Sequence, residues 1–179
     1  AMIGVALQEE PSLGGHHLTH DITPYNTFEA SYRLFQTVEY WPKGTTFVSV
    51  VDPGVGSSRK SVVALTKTGQ YIVTPDNGTL SYIKKDVGIV VVREISEVEN
   101  RRSNTELSYT FHGRDVYAYT GAKIASGHIS FEEVGPELPV DKILEFPVVE
   151  TIIEENLVRG AIDILDVRFG SLWTSITRD

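Results

Sequence analysis

Phe47–Val48–Ser49–Val50–Val51 runs directly into Asp52–Pro53–Gly54–Val55–Gly56–Ser57–Ser58–Arg59, and that junction constrains the fold more than any other stretch. Apolar, Val-rich text of this kind predicts a strand buried on both faces in a parallel sheet. Pro53 biases Asp52 toward extended backbone, while Gly54 and Gly56 permit positive φ and close approach by a ligand. Arg59 then leads into the next apolar run, Val62–Val63–Ala64–Leu65. An acid and a guanidinium at the mouth of a sheet stand where open α/β folds bind ligands. The same residues also read as a tight turn stapled by an Asp52–Arg59 pair.

Other segments fill in an α/β pattern. Met2–Leu7 reads as a strand or buried segment entered abruptly. Asn26 predicts a helix cap, with Glu29 completing a capping box and Phe28, Tyr32, Phe35 and Val38 on one apolar face. That helix should stop near Trp41–Pro42–Lys43–Gly44. Further strands are expected at Gln70–Thr74 and Val87–Val92, with Pro75–Asp76–Asn77–Gly78 as a turn of chiefly structural duty. Phe111–His112–Gly113–Arg114–Asp115 opens a second helix reaching about Ser126, its Ala118, Ala122 and Ala125 on one face. His112 is placed just before that helix, where the dipole lowers an imidazole pKa and favours anions. Taken alone, such a histidine is more often a capping or packing residue than a catalytic one.

From Gly135–Pro136–Glu137 to Pro147 the text is proline-spaced and charged, like a connector. Leu157–Asp166 predicts one strand and Leu172–Ile176 a hairpin partner. Two such strands make no stable domain alone, so the chain reads as truncated at both ends.

Composition narrows the function. With 16 Lys and Arg against 24 Asp and Glu in 179 residues, the net charge is −8 and no basic run exists, which speaks against nucleic acid. No apolar run approaches membrane-spanning length, and a cytoplasmic location fits. Cysteine is absent, excluding a thiolate nucleophile and Cys-ligated zinc. His16, His17, His20 and Asp21 cluster as a conceivable metal site, but without HExxH spacing they read chiefly as polar loop.

Taken in order, Val51–Arg59, Pro75–Gly78 and Phe111–Asp115 closely resemble motifs of the S-adenosyl-L-methionine (SAM) hydrolase (adenosine-forming) family. These SAM hydroxide adenosyltransferases are related to fluorinases and chlorinases. His20–Asp21–Ile22, Glu133–Val134–Gly135 and Phe169–Gly170 add supporting matches. The resemblance implies a three-layer α/β N-terminal domain, mostly parallel in its sheet, over residues 1–147. It also implies the start of a small β-barrel-like C-terminal domain over residues 151–179. It further implies a homotrimer with the active site at the seam between subunits. The family's opening Thr-Asp-Phe-Gly segment has no counterpart before Ala1.

By the same resemblance Asp52, Arg59 and His112 form a catalytic triad. Tyr25 would flank the nucleoside, Phe111 and Gly113 stand where the related halogenases bound their halide pocket and would contact substrate here, and Asp166, Phe169 and Ser171 would grip the ends of the ligand. Ser171 and Ser175 stand where the family usually has Asn. The implied reaction is attack by water or hydroxide at the ribose 5′ carbon, releasing adenosine and L-methionine. SAM is then the substrate, with no metal and no cofactor. Either His112 or Asp52 would take the proton. A SAM- or adenosine-binding sensor without turnover is a second reading, and a metal-dependent hydrolase on the histidine cluster a third. Halogenation fits poorly, because Asp52 would repel a halide.

Overall fold

The computed structural model describes residues 1–177, which divide into two compact units, Ala1–Glu145 and a second from Phe146 onward. In the first, a five-stranded sheet is built from β1 (Thr46–Val48), β2 (Ser61–Thr66), β3 (Tyr71–Pro75), β4 (Ile89–Glu94) and β5 (Glu137–Leu138). Its order is β1-β3-β2-β4-β5. Helices α1 (Met2–Glu9), α2 (Thr27–Val38) and α3 (Tyr119–Ser126) pack around it.

The α/β class and the three layers are as expected; the pairing sense is not. Only β1 and β3 run parallel, whereas β2–β3, β2–β4 and β4–β5 are antiparallel. The Val-rich runs are explained by layering instead. Side chains alternate across a strand, so Val62, Ala64 and Ile72 meet Leu34 and Val38 on one face. Val63 and Val73 meet Val116, Tyr117 and Ile124 on the other. Both faces are covered, and apolar continuity reports cover rather than strand direction. Each large side chain so buried contributes on the order of 1.5–3 kcal/mol.

Three local expectations are corrected. Met2–Leu7 is helical, part of α1, which packs against α3. A six-residue apolar run carries no decisive period, and Met, Ala, Leu, Gln and Glu all favour helix. β1 is a short edge strand, although the Ser49 N–H still donates to the Val73 carbonyl at 3.0 Å. The Leu157–Asp166 segment is two strands rather than one, as described below.

α2 is capped as predicted, Asn26 accepting from the Glu29 N–H at 3.0 Å. Glu29 completes the cap differently, accepting from the Thr23 N–H at 3.0 Å. The aromatic stripe of α2 gathers on Tyr82, with Phe28, Tyr32 and Phe35 rings 5.3–5.9 Å from it. Ala30, Ser31, Tyr32, Leu34 and Val38 are the buried residues of α2, and Leu34 and Val38 among them join the core against the sheet. The second predicted helix is present but begins with a wide π-type turn over Gly113–Ala118 before α3. Ala118 and Ala122 are buried, whereas Ala125, expected on the same face, is exposed at the end of α3.

In the second unit β6 (Ile152–Glu154) pairs with β7 (Leu157–Arg159), and β8 (Ile162–Asp166) pairs with β9 (Ser171–Thr174). The chain breaks between β7 and β8 at Gly160–Ala161. There the Ser175 hydroxyl accepts from the Ala161 N–H at 2.9 Å.

Candidate active site

The registers put five segments at one end of the sheet. Val48 sits opposite Val73, Ser61 opposite Pro75, and Val62 opposite Glu94. The exit of β1, the exit of β3, the entry of β2 and the exit of β4 therefore converge. The π-type turn that starts the second helix packs on the same face.

Asp52 and Arg59 meet there as a bidentate pair. Arg59 Nε donates to Asp52 Oδ1 at 2.9 Å and Nη2 to Oδ2 at 2.5 Å. Both side chains are nearly buried, at 9% and 6% exposure. Burial works against the Arg59 charge, but the Asp52 hydrogen bond and nearby anions outweigh it and raise the guanidinium pKa. The turn between them is closed by the Ser57 hydroxyl and N–H on the Gly54 carbonyl. Of the two glycines only Gly56 adopts positive φ, at 79°. At Gly54 the requirement is space, since a Cβ would lie 3.3 Å from Arg59 Cγ. Asn77 donates to the Val51 carbonyl at 2.8 Å, so the Pro75–Gly78 turn anchors the residue preceding Asp52.

His112 joins this pair through intermediaries. Arg59 Nη1 donates to Ser61 Oγ at 2.8 Å, and Ser61 donates to Glu97 Oε1 at 3.3 Å. Glu97 Oε1 is 3.5 Å from His112 Nε2. The Tyr117 hydroxyl lies 3.2 Å from Ser61 Oγ, and the Arg59 guanidinium sits 5.5 Å from the Tyr117 ring centre. Burial holds the Tyr117 phenol protonated by raising its pKa. Arg101 donates to Glu97 Oε2 at 2.9 Å, and its Nη2 lies 3.3 Å from His112 Nε2.

His112 already has helical backbone, because the N–H groups of Arg114 and Asp115 both return to the Phe111 carbonyl. Its pKa is lowered chiefly by burial, with Glu97 and Asp52 pulling it up and Arg59 and Arg101 pushing it down. Burial, rather than the helix dipole, is thus the leading cause.

The remaining predicted residues are spread out. Gly113 packs against Val50, close to Asp52 along the chain. The Phe111 ring is 55% exposed beneath the Arg114 guanidinium, 4.9 Å away. Tyr25, at φ 69°, is 77% exposed before α2 and does not join the network. In the second unit Asp166 Oδ1 accepts from the N–H groups of Arg168 and Phe169, while Phe169 and Ser171 are exposed. In the histidine loop His17 Nδ1 and His20 Nε2 are 2.7 Å apart, and His16 packs on Trp41. Among the described residues no group of three or more His, Cys, Asp or Glu is arranged to hold a metal. A recess of about 830 Å³ opens between α1, the histidine loop, β1 and α3. It touches Val50 and Val51 but not the charged cluster.

The profile of the SAM hydroxide adenosyltransferase N-terminal domain matches residues 1–135. The chain belongs to the SAM hydroxide adenosyltransferase family. It is 43% identical over 107 residues to an (R)-S-adenosyl-L-methionine hydrolase of Methanocaldococcus jannaschii, covering 60% of this chain and 38% of that protein. A protein of the same name from Thermus thermophilus is 34% identical over 171 residues, covering 90% and 62%. The crystal structure of an uncharacterized conserved protein from Thermotoga maritima superposes with a TM-score of 0.90 at 35% identity, covering 98% and 65%. The chain spans less than two thirds of the length of each.

In this family member Ser61, Glu97, Arg101 and Tyr117 surround the motif residues without belonging to any motif themselves. The only signal in sequence was their polarity or charge beside apolar runs.

A pH effect on stability follows from His112. Unfolded, the imidazole takes up its proton near its ordinary value of 6.5; folded, it does so at lower pH. The stability that depends on neutral His112 is complete above that ordinary value and is lost as pH falls through the lower folded pKa. The melting temperature should therefore drop from about pH 7 to about pH 5. In His112→Asn that drop should be shallower, measured by thermal melts across the range.

Proposed function

We propose that the protein hydrolyses SAM to adenosine and L-methionine. The observation that carries this reading is the buried Asp52–Arg59 fork coupled to His112, in a member of a family whose relatives are named (R)-S-adenosyl-L-methionine hydrolase. The bond between the ribose 5′ carbon and sulfur breaks while a bond from that carbon to a water oxygen forms. Sulfur leaves as a neutral thioether, so no general acid is required. Water is the difficulty, with a pKa of about 15.7.

Arg59 cannot act as a base, because a guanidinium stays charged. Its three bonds to Asp52 and Ser61 leave N–H groups on both Nη1 and Nη2 to polarise an oxygen. Both Asp52 oxygens already accept from Arg59, and this favours His112, neutral at pH 7, as the group that takes the proton. It would release that proton to solvent afterwards.

Tyr25, Phe111 and Gly113 on the first unit and Asp166, Phe169 and Ser171 on the second are proposed substrate contacts. Residues 151–179 would begin a C-terminal β domain. A cytoplasmic homotrimer with its site at the subunit seam is proposed with them.

Full-length protein incubated with SAM in ¹⁸O-water should yield methionine and adenosine labelled at the 5′ oxygen. The yield should be indifferent to chelator and to halide. Absence of adenosine would favour a binding-only sensor, loss with chelator a metal enzyme, and a 5′-halogenated nucleoside a halogenase.

A further inference from the structure

The proton acceptor has neighbours of opposite sign on one atom. His112 Nε2 faces Arg101 Nη2 at 3.3 Å and Glu97 Oε1 at 3.5 Å, and Arg101 Nη2 also donates to the other Glu97 oxygen, Oε2, at 2.9 Å. His112 Nδ1 is buried without a hydrogen-bond partner, so Nε2 is where the imidazole meets its surroundings. Arg101 is nearly buried and is fixed from behind by the carbonyl of Ser108 at 3.1 Å. Glu97 is also held by Ser61, which is bonded to Arg59.

We propose that Glu97 and Arg101 are positioning residues that set the proton affinity of His112 Nε2, a reading that rests on the hydrolase function above. With the imidazole neutral, its Nε2 lone pair accepts from Arg101. When the nucleophilic water gives up its proton, Nε2–H turns to donate to Glu97 Oε1, and the hydroxide oxygen bonds to the 5′ carbon. The proton then passes to solvent, restoring the neutral ring. Ser61 couples the two halves, since its hydroxyl touches both the Arg59 fork and Glu97. The charged groups facing His112 are Glu97 and Arg101 from the segment after β4, and Asp52 and Arg59 from the turn after β1. Removing one partner of the Glu97–Arg101 pair therefore leaves the other unopposed within 3.5 Å of Nε2, against an unchanged Asp52–Arg59 background.

The test is the sign of two shifts. In Glu97→Gln the acid limb of kcat/KM should move to lower pH, and the rate at neutral pH should fall roughly tenfold, part of the 10²–10⁴-fold a general base supplies. In Arg101→Met the limb should move to higher pH, while Arg101→Lys, keeping the charge, should return it toward wild type. The His112 imidazole, followed by NMR in the full-length protein, should titrate with the same opposed displacements. Shifts of one sign in both variants, or rates reduced at every pH without displacement, would overturn the assignment. The NMR titration reads Nε2 whether or not SAM is turned over. A chain that shows the opposed shifts but makes no adenosine would sink the hydrolase reading alone. Should Glu97→Gln fail to fold, Arg101→Met and Arg101→Lys still decide the direction.

Discussion

Replacing Arg59 by methionine is expected to lower adenosine release from SAM by about 100- to 1000-fold, the usual cost of losing one preorganised electrostatic partner. The fork does two things at once. It neutralises a carboxylate that is only 6% exposed, and it presents N–H groups that favour hydroxide over water. Asp52→Asn should fall in the same range, because the amide cannot hold both arms of the guanidinium as a carboxylate does. Arg59→Lys is the sharper comparison. It keeps the charge but loses the planar fork and the bond to Ser61, so it should recover little of the rate. Single-turnover measurements on folded variants check this. Full activity in Arg59→Lys would mean that charge alone suffices and that the fork is scaffolding. Loss of the Asp52 partner also costs stability, so each variant needs its melting temperature recorded beside its rate.

Gly135→Ala should be the most damaging small substitution in the fold. Gly135 has φ 149°, and a Cβ there would lie 2.2 Å from the Glu94 carbonyl oxygen and 2.9 Å from the Ser96 nitrogen. Neither is a flexible side-chain end. The surrounding ladder is also dense: Ser96 N–H donates to the Val134 carbonyl, Glu94 N–H to the Pro136 carbonyl, and Arg93 Nη1 to the Gly135 carbonyl. The expected loss is on the order of 3 kcal/mol, near the top of the ordinary range for point substitutions. For a domain of this size that lowers the melting temperature by roughly 6–12 °C. Glu97 lies just beyond the strained segment, so the surviving folded protein should also lose rate. A melting temperature within about a degree of wild type would show that the backbone yields there.

Much of this was visible before any tertiary information. The Asp52–Arg59 pair was legible because both ends of the contact sit in one turn, separated by a short stretch rich in Gly and Ser. The Asn26 cap, the β2, β3 and β4 runs and the end of the second helix at Ser126, where Gly127 takes φ 72°, are legible for the same reason, each being a local preference. Met2–Leu7 is ambiguous by itself, since so short an apolar run fits a strand as well as a helix, and docking on α3 decides for helix. The mostly antiparallel pairing is not legible in the text, because cover on both faces makes strands of either direction continuously apolar. Tyr25 was assigned by resemblance, yet its ring stands in solvent in this chain.

Sequence by itself determined which turns form, which faces are apolar, and which acid and guanidinium share a loop. Only the folded sheet decided that Glu97 and Arg101 lie beside His112 and that Ser61 lies between Glu97 and Arg59. The reason is register: antiparallel pairing sets Val62 against Glu94, bringing residues that are far apart along the chain to one end of the sheet. Nothing in the local text around Glu97 encodes that neighbour, because its partner is chosen by strand pairing and not by spacing.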